Sequence, residues 1–153
     1  MPVISNRQAL ERNIGRLIRG AKILGVPIVV TEQYVKGLGH TVEGLRDALG
    51  GDYKPIEKDC FSGYRPLDRK QVIIAGIETH VCVYQTVSDL LANGYEVTIV
   101  ADAVSSRTEE NKSIALQRMV ADGAKLSSTE MALFEMTVTS GTDEFRAISK
   151  LVK

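Results

Sequence analysis

The chain has 153 residues, 44% of them hydrophobic and 25% charged, and its 19 Lys and Arg residues balance its 19 Asp and Glu residues. These values are typical of one globular domain that buries its core without disulfides or a structural metal. Because the basic residues are scattered and the apolar runs are only strand-length, the sequence favours neither a nucleic-acid-binding protein nor a membrane protein.

The first half of the chain is predicted to alternate helices with strands. Ser5-Asn6-Arg7-Gln8 has the pattern of a capping box, and the helix that follows keeps apolar residues on one face up to Leu24. Gly25 and Pro27 end this helix, and the apolar run over residues 26–31 is typical of a strand covered on both faces. The next predicted elements are a loop at 37–39, a helix over 42–49, a strand over 53–58, an irregular link over 61–69 and a strand over 71–77.

The second half of the chain continues this alternation. A helix begins at about Cys82 and ends at Asn93-Gly94, and residues 96–101 form another predicted strand. Ser106-Arg107-Thr108-Glu109 has the pattern of a second capping box, which opens a helix that ends at Gly123. A strand over 124–127 and short helices over about 130–138 and 143–152 complete the predicted elements.

Strands that alternate with helices of this length predict a three-layer α/β/α, Rossmann-like fold with a mainly parallel sheet. The whole chain, residues 1–153, is expected to form a single domain. Ligands of such sheets bind beyond the carboxyl ends of the strands. The chemistry-bearing residues at such positions are Glu32, Lys58, Cys82 and Asp102.

A cysteine stands where a strand gives way to a helix, in Ala75-Gly76-Ile77-Glu78-Thr79-His80-Val81-Cys82-Val83. Unpaired N–H groups and the positive end of the helix dipole stabilise a thiolate there, so Cys82 is a candidate nucleophile. A small buried cysteine is the competing interpretation. Since Cys60 and Cys82 form neither a disulfide framework nor a metal-ligand cluster, we predict no metal and no cofactor, and we expect a cytoplasmic protein.

Several motifs together resemble the isochorismatase-like cysteine hydrolases. The stretch from Gly76 to Val83 is similar to the nucleophile motif of this family. Other stretches agree with the family in order and spacing: Thr31-Glu32-Gln33-Tyr34, Lys36-Gly37-Leu38-Gly39, Ile56-Glu57-Lys58, Phe61-Ser62, Val100-Ala101-Asp102-Ala103-Val104-Ser105-Ser106-Arg107 and Ser128-Thr129-Glu130. The resemblance covers nearly the whole chain and is strongest for the isochorismatase-domain-containing proteins.

The resemblance implies a hydrolase that acts on a small amide, carbamoyl or related C–N or ether substrate through a covalent intermediate on Cys82. Lys58 matches the lysine that holds the thiolate. A non-proline cis peptide bond is implied between Ile77 and Glu78, with the N–H groups of Glu78 and Cys82 forming an oxyanion hole. The expected partners are a small-molecule substrate and further copies of the chain, because relatives are usually dimers or larger.

The resemblance also indicates the wall of the substrate pocket. Its expected residues are Glu32, Tyr34, Ser62 and His80. A histidine is a frequent general base, but the family does not require one at the position of His80. Asp102 could orient a base, but an acidic residue at this strand end is more often expected to fix the turn at Ser105-Ser106-Arg107 through local hydrogen bonds.

The chain departs from the family pattern in two places. The family's general-base aspartate ends a first strand, upstream of a stretch like residues 1–7, so the domain is expected to be incomplete at its N-terminus. Relatives also carry a full helix where this chain has only a short link between residues 62 and 71. The missing strand would lie between those over 26–31 and 71–77, leaving unpaired edges unless the two strands close up or a partner fills the gap.

The absent aspartate bears on activity. Glu32 and Asp59 are the nearby carboxylates that could replace it, and neither is favoured. General acid–base catalysis is worth about 10²–10⁴-fold, so the chain is expected to be a poor hydrolase. The alternative is a noncatalytic member of the same fold that binds a ligand or a partner.

Overall fold

The computed structural model describes residues 4–153, so residues 1–3 of the expected domain lie outside the described part of the chain. Within it the helices are α1 (Arg7–Leu24), α2 (Val35–Leu38), α3 (Glu43–Leu49), α4 (Tyr84–Ala92), α5 (Glu109–Ala121), α6 (Thr129–Thr137) and α7 (Asp143–Val152). The strands are β1 (Thr31–Gln33), β2 (Ile56–Lys58), β3 (Gln71–Ile77), β4 (Glu96–Ser105) and β5 (Lys125–Ser127). A 3₁₀ turn covers Gly50–Asp52 and a π-helical turn covers Thr79–Val83. None of the helices in residues 4–153 is long and apolar enough to cross a membrane.

The strands form two parallel sheets, which confirms the predicted mixed α/β fold with parallel pairing. One sheet pairs β1 with β2, and the other has the order β3-β4-β5. β1 and β3 are not hydrogen-bonded to each other, so each has an unpaired edge within the described residues. Side chains near these edges are exposed: Val29 by 52%, Ile73 by 39% and Ile77 by 37%. The two strands have therefore not closed up.

Several predicted bounds were wrong, and missing ladder partners explain the largest difference. Of the strand predicted over 26–31, only Thr31 is in β1, because residues 26–30 have no continuous ladder beside them. β4 extends four residues beyond its predicted end at Ala101, since it pairs with β3 on both sides of a register shift between Ile74 and Gly76. The loop predicted at 37–39 overlaps the single turn of α2. The predictions for β3, α7 and the irregular link over 61–69 are confirmed.

Helices contact the second sheet from both faces. Ile99 and Val100 are neighbours on β4, so their side chains point to opposite faces, and both are fully buried. Ile99 belongs to a cluster with Val87 of α4 and Met119 of α5. Val100 belongs to a separate cluster with Ala132 of α6 and apolar residues of α1. A third cluster joins α1 to α3 and to the segment before β1, so α1 spans both sheets.

The two predicted capping boxes were wrong, because both serines make tertiary contacts instead. α1 begins after Asn6, which is left-handed at φ 51° and makes no side-chain cap. The Ser5 hydroxyl lies 2.7 Å from Glu109 Oε1 of α5. Helix α5 is capped by Thr108, whose hydroxyl accepts a hydrogen bond from the N–H of Asn111 at 3.3 Å, while Ser106 is fully buried.

The cap of α5 can be tested by replacing Thr108 with alanine. We expect the free energy of unfolding to fall by about 1 kcal/mol, because one N–H of the first turn loses its acceptor. Urea denaturation monitored by circular dichroism measures the change. Thr139→Ala is the matched control, since Thr139 is exposed and its hydroxyl donates only to the neighbouring carbonyl of Ser140. Equal losses in the two variants would contradict the capping role.

Candidate active site

The turn that carries Cys82 starts at the end of β3. Glu78 adopts a left-handed conformation with φ 59° and ψ 59°, and the π-helical turn from Thr79 to Val83 follows directly. Cys82 lies within this turn, and α4 follows at Tyr84, so the helix predicted to begin at about Cys82 is preceded by a π-helical turn. The Glu78 carbonyl accepts hydrogen bonds from the N–H groups of Val81 and Val83, at 3.0 and 3.2 Å, which closes the turn.

The cis peptide bond expected between Ile77 and Glu78 is not present, as residues 4–153 contain no cis bond. The chain changes direction through its φ angles instead, with Gly76 at φ 142° and Glu78 at φ 59°. A left-handed residue other than glycine costs about 1–2 kcal/mol. Two contacts hold Glu78 there: its carboxylate lies 3.3 Å from Arg107 Nε and 3.7 Å from His80 Nε2.

Lys58 and Cys82, the two predicted catalytic residues, meet at the side chain of Gln33. Gln33 and Lys58 are register partners in the β1–β2 ladder, so their side chains lie side by side. The Lys58 ammonium donates to Gln33 Oε1 at 2.6 Å, and Cys82 Sγ is 4.0 Å from the same oxygen. The role of Gln33 could not be predicted from the sequence, because only the strand register brings this residue to Lys58.

The electrostatic surroundings of Cys82 favour the protonated thiol over the thiolate that was predicted from the sequence. Burial raises the pKa of the half-buried Cys82 thiol, the nearby Lys58 ammonium lowers it, and Glu78 and Cys60 raise it further. The net direction is upward, because loss of water around the sulfur outweighs the attraction of one ammonium group. At neutral pH this geometry therefore favours the thiol.

Glu32, one of the expected pocket residues, is instead a buried structural carboxylate. It is 4% exposed and accepts four hydrogen bonds: from Tyr53 Oη at 2.6 Å, Thr41 Oγ1 at 2.8 Å, Thr41 N at 2.9 Å and His40 Nδ1 at 3.0 Å. Burial alone raises the pKa of Glu32, but these hydrogen bonds outweigh burial and lower the pKa to about 2. Glu32 therefore anchors the loop before α3, which argues against a role as the replacement base.

The other expected site residues have different surroundings. Tyr34 is 54% exposed, and the Ser62 hydroxyl donates to Asp89 of α4 at 2.6 Å. His80 Nδ1 lies 3.0 Å from the hydroxyl of buried Ser106, so this histidine ties the π-helical turn to the end of β4. The structure thus brings Lys58 and Cys82 together, whereas Ser62 and His80 make structural hydrogen bonds beside them.

Asp102 was expected to fix the turn after β4, and this prediction was wrong. Its Oδ1 accepts hydrogen bonds from the N–H and the hydroxyl of Thr129, both at 2.8 Å. Asp102 therefore ties β4 to the start of α6. Within the part of the chain that the structure describes, no group of three or more His, Cys, Asp or Glu residues is arranged to hold a metal ion.

Comparison with known proteins gives consistent matches over most of the chain. Residues 3–131 match the isochorismatase domain. The chain is 45% identical to the secreted isochorismatase effector Isc1 of Phytophthora sojae (strain P6497), over 90% of this chain and 71% of that protein. It is 39% identical to isochorismatase domain-containing protein 1 of Danio rerio, over 90% of this chain but only about half (51%) of that protein. The solved structure of the MAR1 ribonuclease from Caenorhabditis elegans superimposes with a TM-score of 0.92 and 39% identity, over 97% of this chain and 81% of that one.

Proposed function

The chain belongs to the isochorismatase family, and on this premise we propose that it is a cysteine hydrolase. The substrate is a small amide, carbamoyl or related C–N or ether compound, and the intermediate is covalent on Cys82. The observation that carries the proposal is the junction of Lys58 and Cys82 at one amide oxygen, 2.6 Å from Lys58 Nζ and 4.0 Å from Cys82 Sγ. The positive charge of Lys58 lowers the pKa of the Cys82 thiol, which is the effect that a nucleophilic cysteine requires, although burial outweighs it in the resting site.

The proposed reaction of an amide has two stages. The Cys82 thiol loses its proton as its sulfur attacks the carbonyl carbon, and the N–H groups of Glu78 and Cys82 bind the developing oxyanion. The C–N bond then breaks, and the amine leaves with the proton that the thiol gave up. Water then attacks the thioester, which releases the acid and regenerates the thiol. Lys58 stabilises the thiolate in both stages through its positive charge.

A noncatalytic member of the same fold is the second candidate. It is supported by the resting state of the site, in which burial raises the pKa of Cys82 and Lys58 donates hydrogen bonds to three uncharged oxygens. A protonated thiol of this kind can line a ligand-binding pocket without forming a covalent bond to the ligand. The difference between the two candidates is whether a covalent adduct forms.

Three further properties belong to this proposal. Residues 1–153 form one domain, the protein is a homo-oligomer, and it works in the cytoplasm. Oligomer formation is supported by the unpaired edges of β1 and β3 and the exposed apolar side chains beside them, since such edges tend to be covered.

The experiment that tests the proposed function is a panel of small primary amides and carbamoyl compounds assayed for ammonia release. We expect release that depends on the protein, together with an acyl adduct on the Cys82 peptide in mass spectrometry of acid-quenched samples. Ligand-induced thermal stabilisation with neither ammonia nor adduct would favour the noncatalytic candidate. Single-stranded RNA is included because three similar structures bear the name of a ribonuclease, and RNA cleavage without amide hydrolysis would overturn the proposal.

A further inference from the structure

Gln33 stands between the two residues on which the proposed hydrolase depends. Its Oε1 faces two hydrogen-bond donors, the Lys58 ammonium at 2.6 Å and the Cys82 thiol at 4.0 Å. Its Nε2 donates to the backbone carbonyl of Asp59 at 2.6 Å. Since a carbonyl needs a donor and an ammonium needs an acceptor, this network fixes the amide with its oxygen toward Lys58 and Cys82.

The N–H groups of Lys58 are shared among several acceptors in this arrangement. An ammonium group has three N–H donors. Three oxygens accept from Lys58: Gln33 Oε1 at 2.6 Å, the Phe61 carbonyl at 2.6 Å and the Cys60 carbonyl at 3.2 Å. All three acceptors are uncharged, and they compete with the Cys82 sulfur, to which Lys58 also donates, for the N–H groups of the lysine. The stabilisation that Lys58 can give to a thiolate is therefore shared with three oxygens.

The contact between Cys82 and Gln33 Oε1 also favours the thiol form of Cys82. A thiol can donate to Gln33 Oε1, whereas a thiolate has no proton to donate and would face the negative end of the amide dipole. A hydrogen bond made only by the neutral form opposes ionisation. The other groups that act on this thiol are Lys58, Glu78 and Cys60, and only Lys58 carries a positive charge.

We propose that Gln33 is a positioning residue that holds the Lys58 ammonium on its own carbonyl and thereby keeps Cys82 in the thiol form. This inference rests on the proposed function, because it assigns Gln33 a control over the proposed nucleophile. Freeing Lys58 from Gln33 strengthens the interaction of the ammonium with the Cys82 sulfur and stabilises the thiolate. Gln33 therefore sets the protonation state of Cys82 through Lys58.

The test measures the rate of Cys82 alkylation by iodoacetamide as a function of pH, in a Cys60→Ser background so that only one thiol reacts. Methionine matches glutamine in length but offers no strong acceptor, so we expect Gln33→Met to lower the midpoint of the profile by about one pH unit. Gln71→Met is the matched control, because Gln71 is exposed at the far end of β3 and contacts only Glu96 at 3.4 Å. We expect the control profile to coincide with that of the parent.

The dependence on Lys58 separates this role from a general loosening of the site. In a Lys58→Met background, Gln33→Met is expected to lower the midpoint by much less, because only the direct contact between Cys82 and Gln33 Oε1 at 4.0 Å is then lost. If Gln33→Met does not fold by circular dichroism, Gln33→Asn is used instead, since its shorter side chain withdraws the carbonyl from Lys58.

An unchanged or higher midpoint, or the same downward shift without Lys58, would overturn the proposal. Alkylation needs no turnover, so an inactive amide panel would reject the proposed function and leave this result standing. Conversely, amide hydrolysis with no midpoint shift would reject only the role of Gln33.

Discussion

Glu32→Gln is expected to lower the free energy of unfolding by about 3 kcal/mol at pH 7. The pKa of Glu32 is about 2 in the folded chain against an ordinary value of 4.5, and each unit corresponds to about 1.4 kcal/mol. The carboxylate satisfies four donors at once, whereas a glutamine carbonyl has two lone pairs and its amide group would face donors. Loss of these bonds would release the loop at His40 and Thr41 from β1.

The same residue predicts how stability depends on pH. The folded pKa of Glu32 is depressed, so its contribution is fully present above about pH 4.5 and is lost as the pH falls toward 2. Urea denaturation between pH 7 and pH 2.5 measures this. We expect the difference in unfolding free energy between the parent and Glu32→Gln to shrink through that window.

Glu57→Gln is the matched control for Glu32. Glu57 is the register partner of Glu32 on β2, but its side chain is exposed. We expect a change within about 0.5 kcal/mol and no added pH dependence, as for most surface substitutions. If the Glu57 and Glu32 variants lose equal stability, the buried carboxylate is not the anchor that its four hydrogen bonds indicate.

Cys82→Ser is expected to reduce kcat/KM for the best substrate of the amide panel by at least about 10³-fold. A serine hydroxyl ionises far less readily than a thiol, and one ammonium group at Lys58 is not enough to activate it. The acyl adduct on the corresponding peptide is expected to disappear with the activity. Ammonia release and mass spectrometry provide the two measurements.

Cys60→Ser controls for a general effect of removing a thiol. The Cys60 side chain is exposed and donates only to the Ser62 carbonyl at 3.3 Å, while its contact with Lys58 uses the backbone carbonyl. We expect kcat/KM within about threefold of the parent. Retained hydrolysis in Cys82→Ser would place the nucleophile elsewhere and overturn the covalent mechanism.

The sequence by itself determined the elements whose pattern is local. The apolar run of β3 and the strongly periodic helix α7 were predicted with the bounds that the structure has, because burial of a strand or a helix face leaves a repeating mark. The alternation of strands with helices was enough to predict parallel pairing, since parallel strands need a crossover between them. It also placed Lys58 and Cys82 at the carboxyl ends of strands, where the structure brings them together.

Only the tertiary structure decided what the polar side chains do. Ser5 is hydrogen-bonded to Glu109, Glu32 to Tyr53 and Gln33 to Lys58. The partners of each pair are distant in the sequence, and they meet only because particular strands and helices pack together. The upward pKa of Cys82 has the same origin, because burial and the partners of Lys58 are properties of the folded arrangement. The local sequence does not indicate which group a polar side chain will hydrogen-bond to. By contrast, the spacing of apolar residues along the chain is enough to predict which of them are buried.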